Sequence, residues 1–328
     1  MLNIGVIGLG IGERHVDALA NDNRVSIAVV CDLNISKAKA IASKYNVPAF
    51  CENWKQMLKD FDLGAVIIAS YDHYHAEQLI EFIRQGVHIF IEKPLCTTLK
   101  ELEHIEKEYC LANKHSNVFV SSNFILRTES RFIELKKRIS DGDLGLIYSV
   151  EASYDYGRIH KIFDGWRGKS PNYSVMNGGG IHMIDLSQWL LDEAFTPLFA
   201  IHNKVVTANS PFFAPDFTSA MGRLGKNSIL KVTANFGSQT PHYHQLKVYG
   251  TKGTFINECA QGKYFFGNEP NVIECKDLHD FPCAKKGDLL PNFIDAIQGT
   301  NDLEVSFAGV SSVMKASLII DELANETY

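Results

Sequence analysis

The sequence predicts an α/β protein whose N-terminal part folds as a doubly wound parallel sheet. Over the first ~120 residues, short apolar segments rich in β-branched residues alternate with amphipathic helical segments. The first apolar segment ends in a glycine-rich turn, Gly8-Leu9-Gly10-Ile11-Gly12, that leads directly into a helical pattern. Nearly continuous apolar strands separated by helices are typical of a parallel sheet covered on both faces.

The elements of this first region follow in regular order. Helices are predicted from about Gly12 to Ala20, then at Ser36–Tyr45, Trp54–Leu58, His75–Arg84 and Leu99–Ala112. The segments between them are short and apolar, and the predicted strands are Asn3–Ile7, Val25–Cys31, Ala65–Ala69, Val87–Ile91 and Asn117–Ser121. This alternation predicts one domain over residues 1–122.

The pattern changes in the remaining part, residues 123–328, which we expect to form a second domain. Its strands are longer and alternate between apolar and polar residues, as in Ile147–Tyr156, Ile229–Phe236 and Gln245–Tyr249. Such alternation predicts a large, mostly antiparallel sheet in an α+β domain. Helices are predicted at Arg131–Ile139, Ile181–Leu191, Pro291–Ile297 and Gly309–Leu323, with a loop over about 157–180.

Composition excludes several classes of protein. With 32 basic and 38 acidic residues the net charge is −6, which argues against a protein that holds nucleic acid by its phosphates. No apolar run reaches the ~18 residues of a membrane span, and the first residues lack the basic and small-residue features of a signal peptide. The seven cysteines are scattered, without a Cys-x-x-Cys pair, so neither a disulfide framework nor a zinc site is indicated. These features predict a cytoplasmic protein.

The glycine turn has the residues expected of a dinucleotide site. Glycine is needed where the backbone turns tightly towards a pyrophosphate, and amides at a helix N-terminus bind phosphate oxygens. Asp32, 22 positions after Gly10, ends the second strand, where a carboxylate binds the ribose hydroxyls. The same carboxylate repels a 2′-phosphate, so NAD is favoured over NADP. The usual third glycine position holds Glu13, and a plain tight turn is the alternative.

A second candidate segment is Glu92-Lys93-Pro94, which follows the strand Val87–Ile91. Open α/β sheets bind ligands at the carboxyl ends of their strands. A lysine there can hydrogen-bond a substrate hydroxyl and lower its pKa. The alternative is an ordinary surface lysine after a strand.

Taken in order, these motifs resemble those of a known family. The glycine turn, Asp32, the Glu92-Lys93-Pro94 triplet and Gly180-Ile181-His182-Met183-Ile184-Asp185 are similar to the glucose–fructose oxidoreductase, inositol dehydrogenase and rhizopine-catabolism proteins, the Gfo/Idh/MocA family. Further agreement comes from Asp72-His73-Tyr74-His75 and from Asn292–Ile297. The resemblance implies an N-terminal Rossmann domain and a C-terminal domain whose open sheet forms a homodimer or homotetramer. It also implies NAD(P)-dependent chemistry on a sugar, polyol or sugar nucleotide.

The resemblance also implies which residues contact the cofactor. They lie in the glycine turn and after the other strands of the first domain, namely Gly8, Gly10, Ile11, Gly12, Asp32, Ser70, Asp72, His75, Glu92 and Lys93.

His182 matches the histidine that in the family faces the substrate and exchanges protons with it, so Lys93 and His182 are the expected catalytic residues. Asp185 lies one helical turn later and matches a substrate-facing aspartate. The alternative is a core histidine on an apolar helix. One departure is Gly178, at a position where relatives carry an aspartate or asparagine, and whether the adjacent Asn177 replaces it is open.

Other substrate-binding candidates follow the last strand of the first domain or lie in the second domain. They are Asn123, Arg127, Tyr154, Trp166 and Arg167, of which the arginines suit a phosphate or carboxylate. The pairs His73-x-His75 and His242-x-His244 lack the acidic or cysteine partners of a metal site, so no metal is expected. Gly178-Gly179-Gly180 is either a second anion site or a plain turn.

The leading hypothesis is an NAD-dependent oxidoreductase that moves hydride between nicotinamide and a carbinol carbon of a sugar, polyol or sugar nucleotide. Two alternatives stay open. Gly178 motivates a cofactor-binding sensor or regulatory protein with weakened catalysis. The other alternative is an enzyme that keeps its cofactor bound and recycles it with a second substrate.

Overall fold

The computed structural model describes residues 1–163, 165–170, 172–258, 261–266, 272–275 and 281–326. Its contacts divide the chain into two compact units. The first consists of Met1–Ile125 and Lys285–Ser311, and the second of Leu126–Ala284 and Ser312–Tyr328. Each unit is built around one sheet.

The first unit contains a six-stranded parallel sheet in the order β3-β2-β1-β4-β5-β6. The strands are β1 Leu2–Ile7, β2 Val25–Cys31, β3 Ala49–Cys51, β4 Ala65–Ile68, β5 His88–Ile91 and β6 Val120–Ser122. The helices between them are α1 Gly12–Leu19, α2 Ile35–Tyr45, α3 Trp54–Asp60, α4 Asp72–Arg84 and α5 Leu99–Ala112. The predicted doubly wound fold is therefore confirmed. The strand order reverses between β1 and β4, which is where such sheets bind ligands.

Local sequence signals account for several of these boundaries. The Asn34 side chain accepts a hydrogen bond from the Lys37 amide and begins α2. Thr98 and Glu101 form a reciprocal capping box that begins α5. β4 is buried along its whole length, as expected for a central parallel strand. Strand β3 was not predicted, because its three residues are too few to show a pattern.

A segment that comes late in the chain also contributes to the first unit. Helix α9, Leu290–Ile297, places the ring of Phe293 5.6 Å from that of Phe90 on β5. Asp295 forms an ion pair with Arg24. From the sequence we expected this segment to belong to the second domain, residues 123–328. Hydrophobic periodicity predicts a helix here but does not indicate which distant residues the helix packs against.

The second unit contains an eight-stranded sheet in the order β14-β13-β12-β11-β7-β10-β9-β8. Its strands are β7 Ile147–Asp155, β8 Phe195–Asn203, β9 Phe217–Leu224, β10 Ser228–Asn235, β11 Tyr243–Gly250, β12 Thr254–Glu258, β13 Gln261–Phe265 and β14 Val272–Cys275. Neighbours are antiparallel except β10 and β7, which are parallel. The predicted mostly antiparallel sheet is thus confirmed.

The helices described in the rest of the chain are α6 Ser130–Ser140, α7 His160–Phe163, α8 Ile181–Leu191 and α10 Phe307–Glu326. Helix α8 is buried along nearly its whole length and contacts β7 and β10. It continues directly from a π-helical turn, Met176–Gly180, which the sequence had predicted as part of a loop. In the described parts of the chain, no helix combines the length and apolar character needed to cross a membrane.

The face of the second sheet that does not contact α8 exposes large apolar side chains. Phe199, Ile201, Met221 and Ile229 lie on β8, β9 and β10 and are exposed by 54%, 43%, 46% and 47%. Phe199 pairs directly with Met221, whose partner on β10 is Lys231, and Ile229 pairs with Arg223. Exposed apolar side chains grouped on one sheet face in this way are typical of an interaction site.

Candidate functional site

Four of the predicted cofactor and catalytic segments meet at one edge of the first sheet. The glycine turn follows β1, Asp32 follows β2, Ser70 comes two residues after β4, and Glu92-Lys93 follows β5. Because all these strands run parallel, their carboxyl ends lie at the same edge. This edge therefore collects polar groups at the place where open α/β sheets bind ligands.

The glycine turn has the backbone geometry of a phosphate-binding loop. Gly8 has φ +80°, and a Cβ there would overlap the Ala69 carbonyl after β4. A Cβ at Gly12 would lie 3.2 Å from Cγ1 of Val6, so this glycine lets α1 begin close to the sheet. Nothing lies within 4 Å of the position a Gly10 Cβ would take, so that side is open. The early third glycine thus serves as the first residue of α1.

Asp32 holds the glycine turn in place. Its Oδ2 accepts a hydrogen bond from the Leu9 amide at 2.8 Å, and its Oδ1 accepts one from the Asn34 amide at 2.9 Å. The Lys37 ammonium lies 3.5 Å from Oδ2. The carboxylate is half-buried, which leaves part of it open to ligand. Residues 8–12 with Asp32 therefore fit a bound dinucleotide, with the turn at the pyrophosphate and Asp32 at the ribose.

Glu92 is the centre of a buried polar cluster. Its Oε1 accepts a hydrogen bond from Asn123 Nδ2 at 2.7 Å and lies 3.0 Å from His15 Nε2. Lys286 lies 3.4 Å from Oε2. Burial by itself would raise the pKa of Glu92, but Lys286, His15 and Asn123 together hold it well below its usual range. Glu92 is therefore ionised, and Asn123, which we expected at the substrate, is fully buried against it.

The segment that carries Lys93 is contacted by His75. Lys93 is half-buried, and the Lys93–Pro94 peptide is cis. His75 on α4 lies with Nδ1 2.6 Å from the Pro94 carbonyl and Nε2 3.2 Å from the Ser70 carbonyl. Ser70 donates a hydrogen bond to Gln78 at 2.6 Å. Asp72 is buried at the start of α4. Cofactor contact by Ser70, Asp72 and His75 stays a prediction, and His75 links two loops of the binding edge.

In the second unit, two predicted substrate residues bind each other. Arg127 donates two hydrogen bonds to Asp185, from Nε at 3.1 Å and from Nη2 at 2.6 Å. Both side chains are buried. Burial raises the pKa of Asp185, and the Arg127 charge opposes that rise. A bidentate buried pair of this kind fixes the position of α8, on which Asp185 lies.

His182 lies one turn earlier on α8, in a cluster of rings. The ring of Tyr154 on β7 stacks 6.1 Å from that of His182. His242 and His244 lie 5.0 and 5.3 Å from Tyr154, each approaching it edge-on. The His182 and His244 rings are 6.5 Å apart. His244 lies next to Tyr154 because of the register in which β11 pairs with β7. A local sequence pattern does not predict this register.

Charge states in this cluster follow from burial. Burial, together with the charges of the neighbouring His242 and Arg158, lowers the pKa of His244 to about 3. Burial and Arg158 likewise lower the pKa of His242 to about 4. Burial raises the pKa of Tyr154 to about 12, against the charges of Arg158 and Arg167. Near neutral pH the two histidines and the tyrosine are therefore uncharged.

The position of Gly178 is filled by a different side chain. A Cβ at Gly178 would overlap the hydroxyl of Tyr173, and one at Gly179 would overlap the ring of Tyr154. These glycines let the π-helical turn pack against aromatic side chains. Tyr173 thus occupies the space into which a larger residue at 178 would extend.

The Asn177 side chain hydrogen-bonds residues of α10. Its Nδ2 donates to Asp321 at 3.0 Å, and its Oδ1 accepts from Ser317 at 2.6 Å. Burial raises the pKa of Asp321 to about 7, and a hydrogen bond from Ser174 opposes the rise. The Asn177 side chain is thus bonded to α10.

The remaining predicted substrate residues lie after β7. The Arg167 guanidinium lies 4.8 Å from the centre of the Trp166 ring, and both residues are half-buried. The Arg158 guanidinium likewise lies 5.0 Å from the centre of the Tyr156 ring, and Arg158 was not among the residues predicted from the sequence.

The described residues contain no group of three or more potential metal ligands. Five of the described cysteines are free thiols, whereas Cys259 lies outside the described residues.

Curated proteins with similar sequences include several dehydrogenases. Inositol 2-dehydrogenase of Salmonella typhimurium is 30% identical over 200 residues, 59% of this chain. The match spans 56% of that relative, little more than half its length. The scyllo-inositol 2-dehydrogenase (NAD(+)) of Bacillus subtilis is 25% identical over 335 residues, covering 94% of this chain and 92% of the relative.

Solved structures share the fold. A levoglucosan dehydrogenase in complex with NADH and levoglucosan superposes with a TM-score of 0.85 at 22% identity, covering 100% of this chain and 98% of that one. The myo-inositol 2-dehydrogenase of Lactobacillus plantarum gives a TM-score of 0.81 at 19% identity, covering 99% and 98%.

Two family models cover most of the chain. The model described as an oxidoreductase family with an NAD-binding Rossmann fold matches residues 2–124, and the model of the GFO/IDH/MocA C-terminal domain matches residues 132–256. The predicted resemblance and the predicted NAD cofactor are thereby confirmed. The chain belongs to the Gfo/Idh/MocA family of oxidoreductases, and its first unit is an NAD-binding Rossmann domain.

Proposed function

We propose that this protein is an NAD-dependent dehydrogenase acting on a carbinol carbon of a sugar, polyol or sugar nucleotide. The observation that carries the proposal is the position of Lys93, at the same edge of the parallel sheet as the glycine turn and Asp32. A cation at this edge supports hydroxyl chemistry next to a bound dinucleotide. Relatives named inositol 2-dehydrogenase support the substrate class.

We assign the roles as follows. The nicotinamide supplies a hydride acceptor for the carbinol carbon when NAD is bound. Lys93 donates a hydrogen bond to the substrate hydroxyl and stabilises negative charge on its oxygen. His182 accepts the hydroxyl proton, so that the alcohol becomes a carbonyl and one proton leaves with the imidazole. The ionised Glu92 and its partners hold the strand end that carries Lys93.

The proposal is tested by nicotinamide absorbance with a panel of polyols, aldoses and nucleotide sugars. Lys93→Met and His182→Asn should each lower turnover by about 10²–10⁴-fold, with NADH affinity measured separately by fluorescence. Lys100→Met, at an exposed residue of the first unit, is the matched control and should retain turnover. Full turnover by Lys93→Met would contradict the assigned role. NADH binding with no turnover across the panel would favour the regulatory alternative.

We further propose that the protein is cytoplasmic and forms a homodimer or homotetramer. The support for the oligomer is the exposed apolar surface formed by Phe199, Ile201, Met221 and Ile229. Met221→Glu places a charge in the middle of it and should shift the mass measured by light scattering to that of a smaller species. An unchanged mass would remove this surface as the interface.

A further inference from the structure

The second unit contains a group of cations near His182 that no described carboxylate neutralises. Residues 158–169 include Arg158, Lys161, Arg167 and Lys169 but one acidic residue, Asp164, in a chain whose net charge is −6. None of the ion pairs among the described residues includes Arg158 or Arg167. A local excess of positive charge in an acidic protein indicates an anionic ligand.

Arg158 is the member of this group with the clearest geometry. Its Nε is buried without a hydrogen-bond partner, and its guanidinium lies over the Tyr156 ring. Its charge acts on Tyr154, His242 and His244. Burying part of a guanidinium without an anion costs solvation energy. Stacking on an aromatic ring fixes the guanidinium plane. One side-chain hydrogen bond of Arg158 goes to Tyr154, and the Nε–H is left as a donor for an anion.

Tyr154 connects these cations to the proposed catalytic histidine. The charges of Arg158 and Arg167 both reach Tyr154, and the Tyr154 ring stacks on that of His182. His242 and His244 complete the surroundings as neutral rings. Arg158 and Arg167 therefore act on the ring that stacks directly on His182.

We propose that the substrate carries an anionic group, a carboxylate or a phosphate, that Arg158 binds beside Tyr154 and His182 with Arg167 in support. The inference rests on the proposed dehydrogenase function and narrows its substrate class. Sugar acids, sugar phosphates and nucleotide sugars fit this arrangement, whereas neutral polyols and aldoses leave the arginines without a partner. The neutral tyrosine and imidazole rings then pack against the sugar.

The test measures binding to the full chain saturated with NADH. Calorimetry compares D-glucose with D-glucuronate, D-glucose 6-phosphate and UDP-glucose. At least one anionic probe should bind about tenfold tighter than glucose or better, and raising salt from ~50 to ~500 mM should reduce that advantage. The probe whose affinity exceeds that of glucose by the largest factor identifies the anionic group of the substrate as a carboxylate, a phosphomonoester or a diphosphate.

Variants assign the effect to the arginine. Arg158→Gln should abolish the advantage over glucose, and Arg158→Lys should keep part of it because it retains charge without the bidentate fork. The matched control is Lys226→Gln, which removes an exposed charge before β10, at the end of the sheet opposite Asp155. The Lys226→Gln variant should bind every probe with the same affinity as the parent protein. Unchanged circular dichroism and NADH affinity would show that Arg158→Gln folds.

The outcomes separate this inference from the proposed function. If no anionic probe binds tighter than glucose, or if Arg158→Gln keeps the advantage, the inference is wrong. Oxidation of a neutral polyol at an equal rate by the parent and Arg158→Gln would also reject it, while leaving the dehydrogenase function intact. Conversely, an anionic probe that binds through Arg158 but is never oxidised would contradict the proposed function alone.

Discussion

Replacing Arg127 with methionine tests whether its pair with Asp185 is structural. The two hydrogen bonds are 3.1 and 2.6 Å long, and the side chains are exposed by 9% and 1%. Removing one partner of such a pair leaves an uncompensated buried charge, at a cost of about 3–5 kcal/mol. The exposed pair Lys137–Asp141, with exposures of 73% and 47%, provides the control. Lys137→Met should cost about 0–1 kcal/mol.

Urea unfolding followed by tryptophan fluorescence measures both changes. A Trp54→Phe background removes the signal of the first unit and leaves Trp166 and Trp189, which lie in the second. The double variant Arg127→Met, Asp185→Leu should recover most of the loss, because it removes both charges.

The pH dependence of the same variant provides an independent check. Burial raises the pKa of Asp185 against the opposing charge of Arg127, so removing Arg127 raises that pKa further. A raised folded-state pKa favours the protonated form, and stability is lost as pH rises through it. Arg127→Met should therefore lose more stability at pH 8 than at pH 5. If Arg127→Met were as stable as Lys137→Met but bound substrate more weakly, the structural role of the Arg127–Asp185 pair would be refuted.

Three further predictions concern other parts of the site. Gly178→Ala should lower the free energy of unfolding by about 1–3 kcal/mol, because its Cβ overlaps the Tyr173 hydroxyl, and adding Tyr173→Ala should recover part of that loss in urea titrations. Asp32→Asn retains an acceptor for the Leu9 amide but loses the charge, so fluorescence titration should show the ratio of NADPH to NADH dissociation constants falling by about tenfold; an unchanged ratio would contradict the role of Asp32. His244 has a folded pKa of about 3, below its usual value, so the parent should lose stability as pH falls from ~6.5 to ~4, by up to about 1.4 kcal/mol per pH unit, and His244→Gln should show a shallower slope.

The sequence was most informative where function depends on residues next to each other in the chain. Gly8, Asp32 and Lys93 each follow an apolar strand, and the parallel arrangement of those strands brings their ends together. Strand order did not have to be known in detail, because any doubly wound sheet collects its strand ends at one edge. This is why the gathering of these polar residues at one sheet edge could be predicted without any contact information.

The arrangement in the second unit could not be predicted in this way. Arg127 and Asp185 are 58 residues apart, and each alone was interpreted as a substrate contact. His244 lies opposite Tyr154 because of the β7–β11 register, which no local pattern specifies. Arg158 was missed because an isolated arginine in a loop has no distinguishing neighbours in sequence. In each case the decisive information is a partner distant in the chain.

The division of the chain also has a consequence for synthesis. The Rossmann unit is interrupted, because its first 125 residues are completed by Lys285–Ser311. Until that late segment leaves the ribosome, Phe90 lacks Phe293, Arg24 lacks Asp295, and the buried Glu92 lacks Lys286. The nucleotide-binding unit therefore reaches its final packing only after the intervening residues of the second unit, up to Ala284, have been translated. Translation that stops before residue 285 leaves an N-terminal fragment with an uncovered apolar surface and an incompletely neutralised carboxylate.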